Sequence, residues 1–499
     1  MKRRIAMAFI ALLFIGTIFL PTNSAAANAW QSDGNQITKG LPEQRNPVIC
    51  GDGQGGAIIA WEDFRNDPNY QDIYAQKMSS TGAPQWAVNG TPICDATSYQ
   101  YQQQICGDGF GGAILVWMDY RNSNMDIYAQ RVNSEGNTLW TGNGIPIVNI
   151  SLAQEKPQLC SDGAGGAIIV WEDSRAGQKD IYAQRIKASG QVDWTINGIL
   201  ICNKTGNQAF PRLVSDGTHG AIMCWSDVDV YAQKVTAAGA SQWGANGTVI
   251  CNASNTQDTA ELCSDGAGGA IIVWRDQRTD GGDMYAQRIS SAGVVQWIAN
   301  GVEICTVGNT QQEVQICSVD SGGAIMAWRD SRSGSSDDIY AQRVTQNGDM
   351  AWIADGIEIC NTTDEQIGVR ICADGADGAI MAWSDQRFDI DGDIYAQRVS
   401  SSGKLLWQFN GTVVCDHTGE DSNFKLTNAG VGAAIITWQD DRNTPGAKNG
   451  VNLDIYALKI PIPSGGGGNP GLVLLLLIIP IVGVAVGIVI LYLRREQLE

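Results

Sequence analysis

The chain has 499 residues, of which 52 are acidic and 33 are Lys or Arg, giving a formal net charge of −19. A surface of that sign repels phosphates, so the composition argues against nucleic acid as a partner. The chain contains only two histidines, His219 and His417, and this scarcity argues against base catalysis by histidine and against a histidine metal cage.

The chain begins with a predicted secretory signal peptide over residues 1–29. Basic residues at positions 2–4 precede an apolar run over 5–20, and small residues follow. This order is typical of a secretory leader, and cleavage after either Ala27 or Ala29 satisfies its small-residue rule. The sequence therefore predicts an exported protein, with an uncleaved N-terminal anchor as the alternative.

One sequence unit recurs eight times between residues 30 and 460. Its W-x-D-x-R tryptophans follow one another at intervals of 49 to 56 residues, which is the period of propeller blades. These tryptophans are Trp61, Trp117, Trp171, Trp225 (a degenerate copy), Trp274, Trp328, Trp383 and Trp438. A second motif, W-x-x-N/D-G, contains Trp30, Trp86, Trp140, Trp194, Trp243, Trp297, Trp352 and Trp407. A third motif, D-x-Y-A, lies between the first two in each unit.

Each unit predicts four strands, as the third unit illustrates. A short segment at residues 157–160 is followed by a glycine-rich turn and by the apolar run 167–171, then by 180–186 and 194–202. The second strand shows no polar alternation, so we expect both of its faces to be buried. Blades that stack face to face around an axis bury their strands in this way.

The two ends of the repeat region predict that the ring closes on itself. The last unit stops after its third strand at Ile460, and the W-x-x-N/D-G segment that it lacks occurs at Trp30 instead. Pairing the segment from Trp30 to Thr38 with the last sheet would close the ring and remove exposed sheet edges. We therefore predict an all-β, eight-bladed β-propeller of four-stranded blades over residues 30–460. An open solenoid is the alternative.

The repeat resembles that of a known family. The third unit reads S-D-G-A-G-G-A-I-I-V-W-E-D-S-R, and ends in D-I-Y-A-Q-R at Arg185. This pattern is similar to the WD-like propeller repeats of the TolB family, and the resemblance covers every unit. It implies a propeller fold. TolB-type propellers close fewer blades and place their tryptophans elsewhere, so the resemblance does not extend to their partners.

Twelve of the thirteen cysteines occupy two repeat positions. The predicted first and fourth strands of a blade lie about 14 Å apart, whereas a disulfide requires Cα atoms within about 7 Å. We therefore favour buried free thiols, with disulfides as the alternative. The first position holds Cys50, Cys106, Cys160, Cys263, Cys317 and Cys372, and the second holds Cys94, Cys202, Cys251, Cys305, Cys360 and Cys415.

The charged residues of the repeat are predicted to be structural. Asp63, Arg65 and Asp72 recur in nearly every unit. A catalytic group is needed once, whereas a hairpin clasp is needed in every blade. Function is therefore expected where the copies differ.

The first two units differ from the others by additional aromatic residues. The candidate binding residues are Phe64, Tyr70, Tyr99, Tyr101 and Tyr120. All belong to loops or strand ends on one predicted face, which is formed by the loops between second and third strands and the loops between blades. Exposed aromatics clustered there can bind a glycan or a protein. Local packing of the loops is the alternative.

The same face carries two further departures from the repeat. Asp389, Asp391 and Asp393 alternate around a glycine, a pattern that calcium loops often show. The sequence predicts no cofactor, with calcium bound at this loop as the alternative. The last unit contains the longest insertion, residues 443–452.

The C-terminal segment predicts a membrane anchor. A Pro- and Gly-rich linker at 461–470 leads into an uncharged apolar stretch at 471–493, which as a helix would span about 34 Å. Arg494 and Arg495 open the tail 494–499, and basic residues stay on the cytoplasmic side. The sequence predicts a single-pass membrane protein with its propeller outside the cytoplasm and its aromatic face directed away from the membrane.

These features favour a binding or adhesion module at the cell surface that engages a protein or a glycan without catalysis. The alternative is a membrane-anchored hydrolase or lyase that acts on glycans, because acidic residues are plentiful. The ligand and the oligomeric state do not follow from the sequence.

Overall fold

The computed structural model describes residues 29–39, 42–279, 281–334, 336–388, 390–417, 421–443 and 453–460. The predicted signal peptide up to residue 28, the linker, the apolar stretch and the tail lie outside these ranges, as does most of the insertion at 443–452. Within the described ranges, no helix has the length and apolar character that crossing a bilayer requires.

The described residues form eight antiparallel sheets of four strands each, which confirms the eight-bladed β-propeller. In blades 1 to 4 the strands are β2 to β17: Gln44–Gly51, Ala57–Asp63, Asp72–Met78 and Thr91–Cys94; Gln100–Gly107, Ala113–Asp119, Asp126–Val132 and Ile145–Val148; Gln154–Ser161, Ala167–Asp173, Asp180–Ile186 and Ile199–Cys202; Ala209–Ser215, Ala221–Ser226, Val230–Val235 and Thr248–Cys251. In blades 5 to 8 they are β18 to β32: Gln257–Ser264, Ala270–Asp276, Asp283–Ile289 and Val302–Cys305; Gln311–Ser318, Ala324–Asp330, Asp338–Val344 and Ile357–Cys360; Gln366–Ala373, Ala379–Asp385, Asp393–Val399 and Thr412–Cys415; Ser422–Asn428, Ala434–Asp440 and Asp454–Ile460.

The four strands of a blade differ in their position relative to the propeller axis and in their burial. First strands contact the first strands of both neighbouring blades, so they surround the central channel. The second strand is buried along its whole length, as in β11, because neighbouring blades cover both of its faces. The predicted third strand at 180–186 is confirmed. The fourth strand, β13, is shorter than predicted, since residues 195–198 form a turn in which Gly198 N donates to Thr195 O at 2.9 Å.

The ring is closed by the N-terminal segment, as predicted. Strand β1, Asn35–Gln36, pairs with β32 and completes the sheet of blade 8. The Arg442 Nη1 of blade 8 donates to Asp33 O at 2.9 Å. The Trp30 indole NH reaches Ser80 O of blade 1 at 3.1 Å, so the segment bridges the first and last blades.

The repeated Asp and Arg form the structural clasp that the repetition predicts. In blade 2, Arg121 Nε donates to Asp119 Oδ1 at 2.7 Å and its Nη2 to Asn143 O at 2.9 Å. The same guanidinium lies 4.0 Å from the centre of the Tyr128 ring and contacts Cys94 Sγ of blade 1 at 3.1 Å. One arginine therefore joins the second and third strands of its blade, and the turn that leads into the fourth, to the preceding blade.

The two sets of tryptophans have different partners. Trp117 is fully buried within its blade, and its indole NH donates to Asp119 Oδ2 at 2.8 Å. Gly144 lies against this ring with φ +82°, and a Cβ there would lie 2.5 Å from the indole, so the glycine of W-x-x-N/D-G is required by packing. Trp140 instead donates to Ala188 O of the next blade at 3.1 Å.

All thirteen cysteines are free thiols. Burial raises the pKa of Cys50 to about 12, and Cys94 is likewise buried with its pKa raised to about 12. Such thiols stay protonated and pack as small apolar side chains.

Candidate ligand-binding face

One face of the propeller carries the candidate site, and we call it the loop face. It consists of the loops between second and third strands, the loops between blades and the first residues of the innermost strands. Strand direction sets this arrangement, because each first strand begins where the second strand of its own sheet ends, as Gln100 pairs with Asp119 in blade 2. The glycine-rich turns between first and second strands lie on the opposite face.

Three of the predicted aromatic residues come together on the loop face. The Tyr70 and Tyr99 rings lie 4.7 Å apart at 78°, and the Tyr99 and Tyr120 rings lie 6.3 Å apart at 69°. Their exposed fractions are 38%, 39% and 37% respectively. Backbone hydrogen bonds join the three segments. Tyr120 N donates to Tyr99 O at 3.0 Å, and Gln100 N donates to Gln71 O at 3.0 Å. We call these three residues the tyrosine cluster.

The other two aromatic residues lie apart from this cluster. Phe64 is only 8% exposed and is covered by Arg45, whose guanidinium lies 4.6 Å from the ring centre. Phe64 therefore does not belong to an exposed aromatic surface, contrary to the sequence-based expectation. Tyr101 is half-buried on the innermost strand of blade 2, and its hydroxyl donates to the Met125 sulfur at 3.0 Å. Burial raises its pKa.

A β-bulge interrupts every innermost strand near the loop face. In blade 1 the pairing register shifts between Arg45 and Val48, and Asn46 adopts a left-handed conformation with φ 54°. Bulges of this kind bend a strand and redirect its side chains. The eight bulge residues are Asn46, Gln102, Lys156, Phe210, Thr259, Glu313, Gly368 and Asn423.

Side chains of adjacent blades hold several of these bulges. Glu62 Oε1 accepts a hydrogen bond from Gln102 N at 3.0 Å, and Glu172 Oε1 accepts one from Phe210 N at 2.8 Å. Burial raises the pKa of Glu62 despite this bond. The bulges are therefore built between blades.

The bulges of blades 8, 1, 2, 3 and 4 surround a cavity at the mouth of the channel. The cavity has a volume of about 400 Å³, and we call it the channel cavity. At the edge of the cavity, the Lys156 ammonium lies 3.8 Å from the centre of the Phe210 ring. The channel cavity is lined by Asn46, Pro47, Val48, Glu62, Gln102, Gln103, Gln104, Lys156, Pro157, Gln158, Phe210, Arg212, Asn423 and Lys425.

Sequence reasoning did not identify the channel cavity. Phe210 is 51% exposed and is the one aromatic residue among the eight bulge positions, most of which are polar. The available signal was the segment that precedes each repeated cysteine, where the copies differ in charge and size. Strand periodicity does not predict the bulge, and the bulge is what places those residues at the channel. The sequence pattern alone therefore did not reveal the cavity.

The structure describes two of the three predicted calcium ligands. Asp389 lies outside the described residues, Asp391 is exposed, and Asp393 is buried as the first residue of β28 opposite Asp385. The calcium site therefore stays a prediction. Nearby, a cavity of about 360 Å³ is lined by Arg387, Phe388 and Ile390 together with residues of the loop that precedes blade 7.

One buried acidic cluster distinguishes blade 8 from the other blades. Asp421 occupies the place of a glutamine that is buried in all seven other blades, and it lies with Asp440 and Cys415 within 4.8 Å. Burial, together with a hydrogen bond to Asp440 and the Asp440 charge, raises the pKa of Asp421 to about 9. The Arg442 guanidinium already contacts Asp440 and Cys415 and would repel a cation, so we interpret the cluster as a carboxyl pair that shares a proton.

No model of a protein family and no curated protein matches the sequence. Among solved structures, a puromycin hydrolase is 13% identical with a TM-score of 0.44, over 83% of this chain and 61% of the hydrolase. A polysaccharide lyase is 9% identical with a TM-score of 0.43, over 76% of this chain and 92% of the lyase. An α-L-arabinofuranosidase from Fusarium graminearum is 10% identical with a TM-score of 0.35, over 61% of this chain and 92% of that enzyme. Similarity at this level concerns the fold alone, and the TolB resemblance stays a resemblance of repeats.

Proposed function

We propose that this propeller binds a glycan on its loop face. The observation that carries the proposal is the tyrosine cluster, whose three rings remain more than a third exposed although they contact one another. Exposed aromatic rings bind the C–H faces of sugars. Strand β6, which follows Tyr99 directly, supplies Gln102 and Gln104 to the channel cavity, so one element joins the two surfaces.

The chemistry of the channel cavity favours a glycan over a protein. Its lining includes the amides of Asn46, Gln102, Gln104, Gln158 and Asn423. Each amide both donates and accepts hydrogen bonds, and sugar hydroxyl groups require this combination. A protein partner would instead require a larger contact surface, of about 800 Å² on each partner. The predicted signal peptide and C-terminal anchor support a location outside the cytoplasm, where glycans are displayed.

A glycan-active enzyme is the second candidate, and two residues of the cavity favour it. Burial raises the pKa of Glu62, while burial and the charge of Arg370 lower the pKa of Lys425 to about 7. Groups whose pKa values move toward neutrality inside one cavity are candidates for acid–base catalysis.

The proposal is tested by glycan-array screening of the full chain, followed by affinity measurements on any captured glycan. We expect Tyr99→Ala to weaken binding about tenfold, because the central ring of the cluster is lost. Phe110→Ala is the matched control, since Phe110 is also an exposed aromatic residue (68%) but lies in a glycine-rich turn on the opposite face. Equal affinity of the wild type and Tyr99→Ala would contradict the proposal.

The second candidate is tested on the same glycan by following its chain length over time. Binding without cleavage supports a binding module. Cleavage that Glu62→Gln abolishes would instead establish the enzyme and overturn a purely binding role.

A further inference from the structure

One position of the innermost strands forms a ring around the channel beside the bulges. Each member pairs with the residue that precedes the buried tryptophan of its blade, as Lys425 pairs with Thr437 and Arg370 with Ala382. We call this set the channel ring. Its members are Val48, Gln104, Gln158, Arg212, Glu261, Gln315, Arg370 and Lys425.

The channel ring contains three cations and one carboxylate. Arg212 Nε donates to Glu261 Oε1 at 2.8 Å, so these two charges compensate each other. Arg370 and Lys425 lie on adjacent blades, and neither forms an ion pair with any described residue. Two cations without an ion-pair partner among the described residues therefore lie side by side. The charges of Glu313 and Glu261 act on Arg370 from a distance, whereas the one charge within the described ranges that acts on Lys425 is that of Arg370.

Lys425 has the less favourable environment of the two. Arg370 Nη1 donates to Val369 O at 2.9 Å, whereas the Lys425 ammonium meets no hydrogen-bond acceptor in the described part of the chain. It is half-buried, and desolvation together with the Arg370 charge lowers its pKa to about 7. An ammonium group that is desolvated, faces a like charge and lacks an acceptor is stabilised when an anion binds.

The surroundings of Lys425 provide space and further polar groups for a ligand. The channel cavity, which Lys425 lines, has a volume of about 400 Å³, within the range of small-molecule sites. The side-chain amides of Gln104 and Gln158 also line it and form no hydrogen bonds with the described residues. They are free to bind the uncharged groups of a ligand.

We propose that the channel ring binds an anionic group, a carboxylate or a sulfate, through Lys425 and Arg370. Both anions present several oxygens in a compact arrangement, which an ammonium and a guanidinium can bind together. The inference depends on the proposed function in one respect only, namely that a glycan carries the anion. In that case the ligand class is an acidic glycan.

The inference is tested by calorimetric titration of the full chain with sodium sulfate, sodium glucuronate and glucose. We expect at least one of the two anions to bind and glucose not to bind under the same conditions. Lys425→Gln and Arg370→Gln should each weaken anion binding about 10- to 100-fold. Lys404→Gln removes the same charge from an exposed turn on the opposite face and should leave binding unchanged. The anion that binds more tightly identifies the acidic group.

Two results would overturn the inference. One is equal anion affinity in the wild type and in Lys425→Gln. The other is an anion-free melting temperature of Lys425→Gln well below that of Lys404→Gln, since this would reveal a structural partner for Lys425. A correctly folded Lys425→Gln variant is expected, because removing an unpaired, desolvated cation leaves no partner uncompensated.

The design separates this inference from the proposed function. Sulfate binding is measured without any glycan, and Tyr99→Ala should leave it unchanged because the tyrosine cluster does not contribute to the channel ring. If sulfate binds through Lys425 but no glycan binds, the anion site stands and the glycan proposal fails. If a neutral glycan binds through Tyr99 and neither anion binds, the glycan proposal stands and the anion site fails.

Discussion

The outer part of the blades and the channel-facing strands differ in how closely the eight copies agree. The Asp–Arg clasp recurs in seven blades with nearly the same geometry. The innermost strands share one backbone path, including the bulge, but carry different side chains. At the channel ring these range from Val48 to Glu261 and Lys425.

This difference separates what folds the chain from what acts on a ligand. A blade needs the same clasp, tryptophan and glycine each time, because every blade packs against similar neighbours. A ligand that lies across the channel contacts each blade differently, so its contacts need not repeat. Positions that share a backbone but differ in chemistry are therefore the best candidates for recognition, and they include Phe210, Arg370 and Lys425.

The largest expected effect on stability comes from opening the closed circle of blades, on which both regions depend. Deletion of residues 30–39 removes β1 and leaves the β32 edge of blade 8 unpaired. We expect a loss of more than about 4 kcal/mol of stability, or aggregation through the open edge, measured by thermal unfolding and size-exclusion chromatography. Deletion of residues 494–499 is the control. An unchanged melting temperature and an unchanged elution volume for the first deletion would contradict closure by the N-terminal segment.

The next effect tests the repeated clasp against the one blade that lacks it. Asp173 accepts hydrogen bonds from Trp171 Nε1 at 2.7 Å and from Arg175 Nε at 2.8 Å. Asp173→Ala should cost about 3 kcal/mol, because it leaves the buried Trp171 indole NH and the partly buried Arg175 guanidinium without their acceptor. Blade 4 provides a natural control, since its Trp225 Nε1 has no partner although Asp227 stands at the equivalent sequence position. Denaturant unfolding should show less than about 1 kcal/mol for Asp227→Ala, and similar losses in both variants would refute the structural role of the clasp.

A smaller effect, of opposite sign, should follow from restoring the consensus in blade 8. Asp421 faces Asp440, Cys415 and Arg442, and its pKa is raised to about 9. Above its ordinary pKa of 3.8 the unfolded chain releases this proton while the folded chain retains it, so stability falls as the pH rises toward 9. Asp421→Gln should remove this loss and stabilise the protein by about 1–3 kcal/mol at pH 8.

The pH dependence of the stability gain tests whether Asp421 and Asp440 share a proton. The stability gain of Asp421→Gln should increase from about pH 5 to about pH 8. A gain that is independent of pH, or a loss at every pH, would show that the carboxyl pair does not share a proton.

The smallest change in stability is expected at the bulge of blade 4. Phe210 holds φ at 55°, a conformation that asparagine adopts more readily, as Asn46 and Asn423 do in the equivalent positions. Phe210→Asn should therefore raise stability by no more than about 1 kcal/mol while it weakens glycan binding. Unaltered affinity would remove Phe210 from the site and restrict recognition to the tyrosine cluster and the channel ring.

The fold was largely predictable because its determinants repeat. Trp30 and Ile460 revealed the closure, and the run at 167–171 revealed a strand buried on both faces. The site was less predictable. Tyr70, Tyr99 and Tyr120 stood out as aromatic departures from the repeat, but the same argument included Phe64, because exposure depends on whether a neighbour such as Arg45 covers the ring.

The channel residues escaped prediction for a different reason. Lys425 and Arg370 lie 55 residues apart in the sequence, and their proximity arises only when adjacent blades meet at the axis. The sequence shows Asp421 in place of glutamine. Its raised pKa could not be predicted, because it arises only where Asp440, Cys415 and Arg442 meet around it in a buried space.

A crystal structure of the full chain with a bound acidic oligosaccharide, chosen from the glycan array, tests the central claim most directly. Our account predicts that the ligand lies on the loop face over blades 8, 1 and 2, with a sugar ring against Tyr99 and an acidic group within hydrogen-bond distance of Lys425. A ligand on the opposite face, or one that contacts neither residue, would contradict it.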